Sequence, residues 1–551
     1  MKSTEIIKRF KYNAVMGVLF AFMVILPDYL YQAFLPNIHY VTDIVFILVI
    51  VAFGFFLSMT QIWAYILFCT IFALMQLIQL GHIAYFSRPI NPLDIGKVFG
   101  EFSDVYNASV TDVDDFWFVP LAAILPFLVM VVMRVKWRQK LYTSFIGLLA
   151  VLIFLGIKPE RATRRGLHHF LPPETRYSLH NSINSFSFYL VRGLDYENLE
   201  NIVPPDFYKP YIVEKSGENS DLIVLVMGES TDASKMHLLN PDARQTTPQL
   251  EKLAQNDDFY AAVAVSSGVS THASLPLFFN MVKEPGNIQK LKNYTTNLFK
   301  MAKENGYKTY FYSAYDMKQT NLIGVPYIDK IITSESNRRR FKSEKEDYLV
   351  ELFKQIDLKN GKNFVVLNFR STHSPYEKCY EHHPEFDVFK PNDNSRFEEE
   401  NAAYDNAVLY IDSVLAQIIN HIKAQNIENA QFIFTADHGE MLGLPDGKYG
   451  HNKLAAEVYS VPFILVGTPQ PKNTNLKYIS HYEISAMIAR FLGYSVKNPN
   501  FTDDEFFVHG NNLFGDYEFI KLKREKDHTL TEDSLQTVSR YVDKTLKKSR
   551  E

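Results

Sequence analysis

The sequence predicts an α/β protein in two parts: five membrane-spanning helices, then a domain with a mainly parallel sheet between helices. Two observations carry this expectation. Apolar residues crowd into the first 157 positions, where charges nearly vanish over long runs. From 221 onward, short β-branched and aromatic runs alternate with helix-like segments, the pattern of a sheet covered on both faces. At 551 residues the chain is also too long for one ordinary domain.

A bilayer-spanning helix needs roughly 20 mostly apolar residues. Five segments qualify, at 14–35, 41–59, 62–84, 115–133 and 141–157. The first is too long for a cleavable signal, and further spans follow it directly. Lys2, Lys8, Arg9 and Lys11 precede it, and Arg134, Lys136, Arg138 and Lys140 fill the loop between the fourth and fifth. The positive-inside rule puts both clusters in the cytoplasm. The loop at 85–114 carries Asp94, Glu101, Asp104, Asp112 and Asp114 and belongs on the other side. Five spans from an inside start place the remainder outside the cytoplasm. If the fifth is instead a buried or interfacial helix, that placement inverts.

Residues 158–205 read as a connector. Arg161, Arg164 and Arg165 are placed to meet lipid phosphates, and the segment with Leu179, Ile183, Phe186, Phe188 and Leu190 suits either a helix on the membrane surface or one packed on the soluble domain. Residues 206–515 form the expected catalytic domain, with strands at 222–227, 309–313, 364–369, 431–435 and 462–466 and helices at 247–255, 297–305, 401–424 and 484–492. Residues 516–551 are a highly charged tail, either a solvated helix or frayed. The net charge of −4 gives no case for nucleic-acid binding, and Cys69 and Cys379 are not expected to pair.

Ligands of open α/β sheets bind at the carboxyl ends of the strands. Glu229 follows the strand at 222–227, and Asp437 and His438 follow the strand at 431–435, so two strands deliver ligand-type side chains to one edge. Two carboxylates and an imidazole suit a zinc-type cation. A third segment, Ser266 to Ser274, is rich in small hydroxyl residues and enters the apolar run 275–279 as a loop leading into a helix. Its Thr271 offers a hydroxyl that can ligate a metal and act as nucleophile at a helix N-terminus, where free N–H groups favour an anion. Ser270 is the rival nucleophile, and simple helix capping is the bland alternative.

The stretches Val-Met-Gly-Glu-Ser-Thr (226–231), Arg-Gln-Thr-Thr-Pro-Gln-Leu (244–250), Ser-Gly-Val-Ser-Thr-His-Ala-Ser-Leu-Pro (267–276), Tyr-Asp-Asn-Ala-Val-Leu-Tyr-Ile-Asp (404–412), Thr-Ala-Asp-His-Gly-Glu (435–440) and Gly-His-Asn-Lys (450–453) occur in the order found in one family. The chain resembles the phosphoethanolamine transferases of Gram-negative envelopes, in the alkaline phosphatase and sulfatase superfamily. The resemblance implies that Glu229, Thr271, Asp437 and His438 bind catalytic zinc, with manganese as the alternative, and that Thr271 becomes phosphorylated. It implies that His373 and His451 contact the transferred phosphate or a further metal ion. It also implies an inner-membrane protein with a periplasmic catalytic domain, a phosphatidylethanolamine donor, and an envelope glycolipid or glycan acceptor. Relatives that modify lipid A carry a cysteine pair flanking the nucleophile segment; Ser267 and Leu277 stand there here, which is closer to the branch acting on lipopolysaccharide core sugars or other acceptors. A sulfatase nucleophile motif is absent, since 270–274 read Ser-Thr-His-Ala-Ser. The remaining rivals are a phosphoglycerol transferase of the lipoteichoic acid type and a membrane scaffold or sensor with an inactive domain.

Overall fold

The computed structural model describes the chain except residues 1–2, 36–39, 87–88, 93, 97–115, 166–169, 173–174, 194–201, 318–320, 371, 444–448, 452, 468–477, 514 and 549–551. Much of the acidic loop expected at 85–114 therefore lies outside the described residues. The chain divides into two compact units, Met1–Glu200 and Asn201–Glu551.

The first unit is helical: α1 (Ser3–Phe34), α2 (Ile44–Ser58), α3 (Ile62–Phe86), α4 (Phe118–Lys136), α5 (Phe145–Arg164) and α6 (Ser178–Arg192). Among the described residues, three helical stretches are long and apolar enough to cross a membrane: Glu5–Phe34, Ile62–Ala84 and Phe118–Lys136. The two other expected spans differ. α2 is a shorter apolar helix of 15 residues. α5 carries Lys158, Glu160, Arg161 and Arg164 in its last two turns, so its apolar part is short. α1 and α2 meet through small residues. A Cβ on Gly54 would lie 2.7 Å from the Phe20 Cβ, and one on Gly17 would lie 2.6 Å from the Val51 carbonyl oxygen. Without a strong hydrophobic drive between helices in lipid, such close approach supplies dispersion contact.

The segment expected as a connector contributes α6, which packs on α5 and α3. Its Ser178, Asn181, Ser182, Asn184 and Ser185 are buried while Leu190 is exposed. A buried carboxylate explains the inverted polarity: Asp28 accepts from the Ser178 backbone N at 3.0 Å and the Gln76 amide at 3.2 Å, with the Ser178 hydroxyl also on it.

The second unit is built on an eight-stranded sheet. Its strands are β1 (Leu222–Gly228), β2 (Phe259–Val265), β3 (Lys308–Ser313), β4 (Lys330–Ile332), β5 (Asn363–Asn368), β6 (Ala430–Ala436), β7 (Ser460–Gly467) and β8 (Tyr478–Ser480). They lie in the order β8-β2-β7-β6-β1-β5-β3-β4. Only β7 runs against the rest, pairing antiparallel with β2 and β6. Alternate residues of β1 feed two cores. Leu222, Val224 and Val226 pack with α10 (Arg338–Lys354) and α11 (Arg396–Ala424). Ile223, Leu225 and Met227 pack with α8 (Thr271–Phe279), α9 (Leu298–Glu304) and α12 (His481–Phe491). Full burial on both faces explains why β1 reads as a continuous apolar run.

Two motif stretches prove to be scaffolding. Asp412, fully buried on α11, accepts from the backbone N–H of Gln249 at 2.8 Å and Leu250 at 2.9 Å and so caps α7 (Pro248–Leu253). Arg244 reaches Asp405, about two turns earlier on α11, at 3.3 Å.

The tail expected from 516 is corrected by the structure. Strands Glu505–His509, Glu518–Arg524, Leu530–Glu532 and Gln536–Thr537 form a second sheet. The terminal helix α13 (Val538–Lys548) buries Val538 and Val542 beside Phe519. The charges that suggested a free tail occupy the outward positions of alternating strands: Phe519, Ile520 and Leu522 are buried while Lys523 is exposed. Cys69 and Cys379 are both free and buried, as composition led one to expect.

Asp412→Ala should cost about 1–3 kcal/mol by stranding two buried donors. Urea unfolding of the second unit checks this, and Asp412→Asn, which keeps an acceptor, should lose less.

Candidate functional site

The site is assembled by backbone register. β1 and β6 pair in parallel with Gly228 opposite Ala436, so the next residues, Glu229 and Asp437, emerge side by side. The pairing continues one step further, with the Asp437 N–H donating to the Gly228 carbonyl at 3.0 Å. His438 follows, and its neighbour Gly439 is required there: a Cβ would come within 2.2 Å of the Glu457 carbonyl oxygen.

Glu229, Asp437 and His438 are each at most 2 % exposed. The His438 Nε2 lies 3.4 Å from Glu229 Oε1 and 3.5 Å from Asp437 Oδ2. Its Nδ1 faces the Gly439 carbonyl at 2.9 Å, so Nδ1 carries the hydrogen and Nε2 turns to the carboxylates. Asp437 Oδ1 accepts from the backbone N–H of His438 at 2.7 Å and Ser230 at 3.1 Å. Asp437 Oδ2 and His438 Nε2 are buried without a hydrogen-bond partner.

Thr271 joins this group from β2, whose carboxyl end lies on the same edge. Its hydroxyl sits 3.2 Å from both oxygens of Glu229. Thr271 is the first residue of α8, so its surroundings include the unpaired N–H groups of a helix start. Ser270 points elsewhere: its hydroxyl donates to the Asn511 carbonyl at 3.0 Å and makes no cap to the helix. The loop between them is strapped from outside. Val269 N donates to the His509 carbonyl at 3.1 Å, and Ser267 N donates to His481 Nδ1 at 3.1 Å.

The electrostatics fit a missing cation. Burial opposes ionisation of Glu229, but the hydrogen bond and charge of His438 prevail and hold it below the usual carboxylate range. Burial, and then the charge of Glu229, raise Asp437 well above that range. Burial opposes the charged form of His438, yet Asp437 and Glu229 raise it to about 10. Without a metal the group therefore needs extra protons to balance its charge. A divalent ion in the same space replaces them and satisfies the two orphaned atoms. Ligand atoms of Glu229, Asp437 and His438 lie within 4.8 Å of one another, which suits such an ion.

His373 and His451 flank this centre. His451 stacks obliquely on His438 with ring centroids 4.4 Å apart, and His373 lies 6.2 Å from His451. Three participants carried no role in the sequence reading. Glu440, 3 % exposed, binds His451 Nδ1 at 3.1 Å and belongs to a second metal-capable group with His438 and His451. Tyr376 donates to Glu440 at 3.2 Å. Thr372, at φ +77°, places its hydroxyl on the Glu229 carbonyl. Glu440 was visible as a second acid in Asp-His-Gly-Glu; nothing local marked Tyr376 or Thr372.

The domain around this centre has a recognisable kinship, since residues 221–494 match the family model described as Sulfatase. The second unit carries a sulfatase domain. YhbX of Escherichia coli O157:H7 is 24% identical over 367 residues, 64% of each chain. Phosphoethanolamine transferase EptC of Escherichia coli K12 is 26% identical over 344 residues, 59% of this chain and 58% of its own. The matches thus span 64% or less of these relatives' length. The integral membrane protein lipooligosaccharide phosphoethanolamine transferase A (EptA) from Neisseria meningitidis shares the fold, with a TM-score of 0.54 over 88% of this chain and 95% of that one at 18% identity. The fold over 88% of this chain therefore recurs in a solved membrane protein.

Two measurements test this site. Zinc added to chelator-stripped protein should raise its melting temperature, because the ion binds only the folded ligand set, and Glu229→Gln should blunt the rise. Burial lowers His481 from 6.5 to about 3. The unfolded chain then binds more protons than the folded one in this range, so His481 subtracts stability as pH falls from 6.5 toward 3. Melting curves of His481→Gln should decline less steeply over that interval than those of the parent.

Proposed function

We propose that the protein transfers phosphoethanolamine from phosphatidylethanolamine to an envelope acceptor, releasing diacylglycerol. The acceptor is a lipopolysaccharide core sugar, lipid A or a surface glycan. One observation carries the reading: the Thr271 hydroxyl lies against both oxygens of Glu229, at a helix start and beside the buried Asp437–His438 pair. The sulfatase domain, the relatives named phosphoethanolamine transferases and the apolar first unit support it.

Glu229, Thr271, Asp437 and His438 hold a zinc or manganese ion in this scheme. That ion supplies Lewis acidity to the phosphoryl oxygens and lowers the pKa of the Thr271 hydroxyl. Thr271 Oγ1 attacks phosphorus, the bond to diacylglycerol breaks, and its oxygen keeps the electron pair. The N–H groups at the start of α8 face the negative charge that builds on phosphorus oxygens. His373 and His451 contact the transferred group. An acceptor oxygen then displaces Thr271 in a second in-line step. Apart from placement, the residues contribute exclusion of water: three of the four ligands are buried.

A lipid donor and a lipid product suit a membrane-anchored domain. In the proposed topology α2 and α5 complete five spans from a cytoplasmic N-terminus, with the catalytic domain in the periplasm of a bacterial inner membrane. Arg134, Lys136, Arg138 and Lys140 then lie on the cytoplasmic side, as the positive-inside rule requires.

Thr271→Ala should abolish transfer of an ethanolamine-labelled headgroup while zinc binding to the remaining ligands persists; Ser270→Ala should stay active. Activity in Thr271→Ala would remove Thr271 from the chemistry. Transfer of labelled glycerol phosphate without ethanolamine would instead favour a phosphoglycerol transferase, and no transfer of either label would favour an inactive scaffold.

A further inference from the structure

His451 is held from behind by Glu440, which Tyr376 holds in turn. Glu440 is buried and has both oxygens engaged: Oε2 with His451 Nδ1 at 3.1 Å, and Oε1 with the Tyr376 hydroxyl at 3.2 Å. An ionised carboxylate only accepts hydrogen bonds, so the hydrogen of the neutral imidazole resides on Nδ1. Nε2 is left with its lone pair on the ring that stacks on His438. Tyr376 is itself wedged edge-on against Tyr404 at 5.0 Å. The Tyr404 hydroxyl donates to the Ser230 carbonyl at 2.6 Å and accepts from Asp232 N at 2.8 Å. The chain Tyr376–Glu440–His451 is thereby anchored to the loop that carries Glu229.

We propose that Glu440, steadied by Tyr376, is the positioning residue that fixes the tautomer of His451, so that Nε2 accepts a hydrogen bond from the acceptor hydroxyl and aims it at phosphorus. This assignment rests on the transfer reading above. It concerns the second displacement: the acceptor hydroxyl passes its proton to His451 Nε2, the acceptor oxygen–phosphorus bond forms, the bond from phosphorus to Thr271 Oγ1 breaks, and the electron pair returns to Oγ1. The first displacement needs no acceptor hydroxyl and is less sensitive to the tautomer. A glutamine at 440 can present its NH₂ to Nδ1, which moves the hydrogen to Nε2 and leaves no acceptor there.

The test separates the two half-reactions in full-length protein in detergent. Phosphatidylethanolamine with a labelled glycerol moiety reports the diacylglycerol burst. Mass spectrometry of Thr271 reports the trapped group, and purified lipopolysaccharide serves as acceptor. In Glu440→Gln onward transfer should slow about 10- to 100-fold, the range for groups that orient a site residue, and by a larger factor than the burst. Phosphorylated Thr271 should accumulate. Glu440→Asp should recover part of the rate, and Tyr376→Phe should slow the same half-reaction by less. Glu440→Gln combined with His451→Ala should be no slower than His451→Ala alone. Equal slowing of both half-reactions, additive losses, or loss of one equivalent of bound zinc in Glu440→Gln would overturn the assignment. If Glu440→Gln fails to fold, the same partition in Tyr376→Phe decides. Absence of any burst or trapped group in the parent would instead overturn the transfer reading itself.

Discussion

The parallel pairing of β1 with β6 is the constraint on which the second unit depends. Its register sets Glu229 beside Asp437, and a single backbone bond, Asp437 N–H to the Gly228 carbonyl, carries that register past the end of the strands. Bringing two carboxylates and an imidazole together without water is costly unless each is compensated. Backbone N–H groups of Ser230 and His438 compensate one oxygen of Asp437. Asp437 Oδ2 and His438 Nε2 are left buried without a hydrogen-bond partner, which suits a cation. Sheet geometry thus creates an electrostatic demand, and that demand is the basis of the chemistry.

Other parts of the unit hold this edge still. Tyr404, projecting from the long helix α11, bridges Ser230 and Asp232 behind Glu229. On the nucleophile side, His481 links Ser267 to the strand that ends at Asp437, accepting from Ser267 N and meeting Thr435 Oγ1 at 3.3 Å. The repeated motif residues around Asp405 and Asp412 work at one remove. They fix α7 to α11, and so fix the helix from which Tyr404 reaches the site.

Sequence made the metal-bearing edge legible because strand ends are local features. Glu229, Asp437 and His438 each follow an apolar run within two residues, and the fold rule for open sheets supplies their common location. What escaped was nonlocal. β2 reads as alanine-rich and weakly strand-like, yet it carries Thr271 because β7 runs antiparallel between it and β6. The choice between Ser270 and Thr271 depends on Asn511, some 240 positions away (|i−j| = 241), which engages the Ser270 hydroxyl. The polarity of α6 has a related origin: Ser178 bonds Asp28, on a helix 150 positions earlier, and Asn184 and Ser185 donate to the Phe170 and Ile90 carbonyls. In the terminal segment, charge masked alternation; five apolar positions spread over short strands do not stand out among lysines and glutamates.

The last strands of the chain have a consequence for when the enzyme comes into being. His509 and Asn511 grip the loop that carries Ser270 and Thr271, through the backbone of Val269 and the hydroxyl of Ser270. Glu229, Asp437 and His438 all precede residue 439, so they leave the ribosome while that grip is still missing. The three acidic and imidazole groups can be brought together early, but the loop that carries Thr271 is held by His509 and Asn511 only once synthesis is nearly finished. Chain order thus sets the sequence in which the two sides of the site can be assembled.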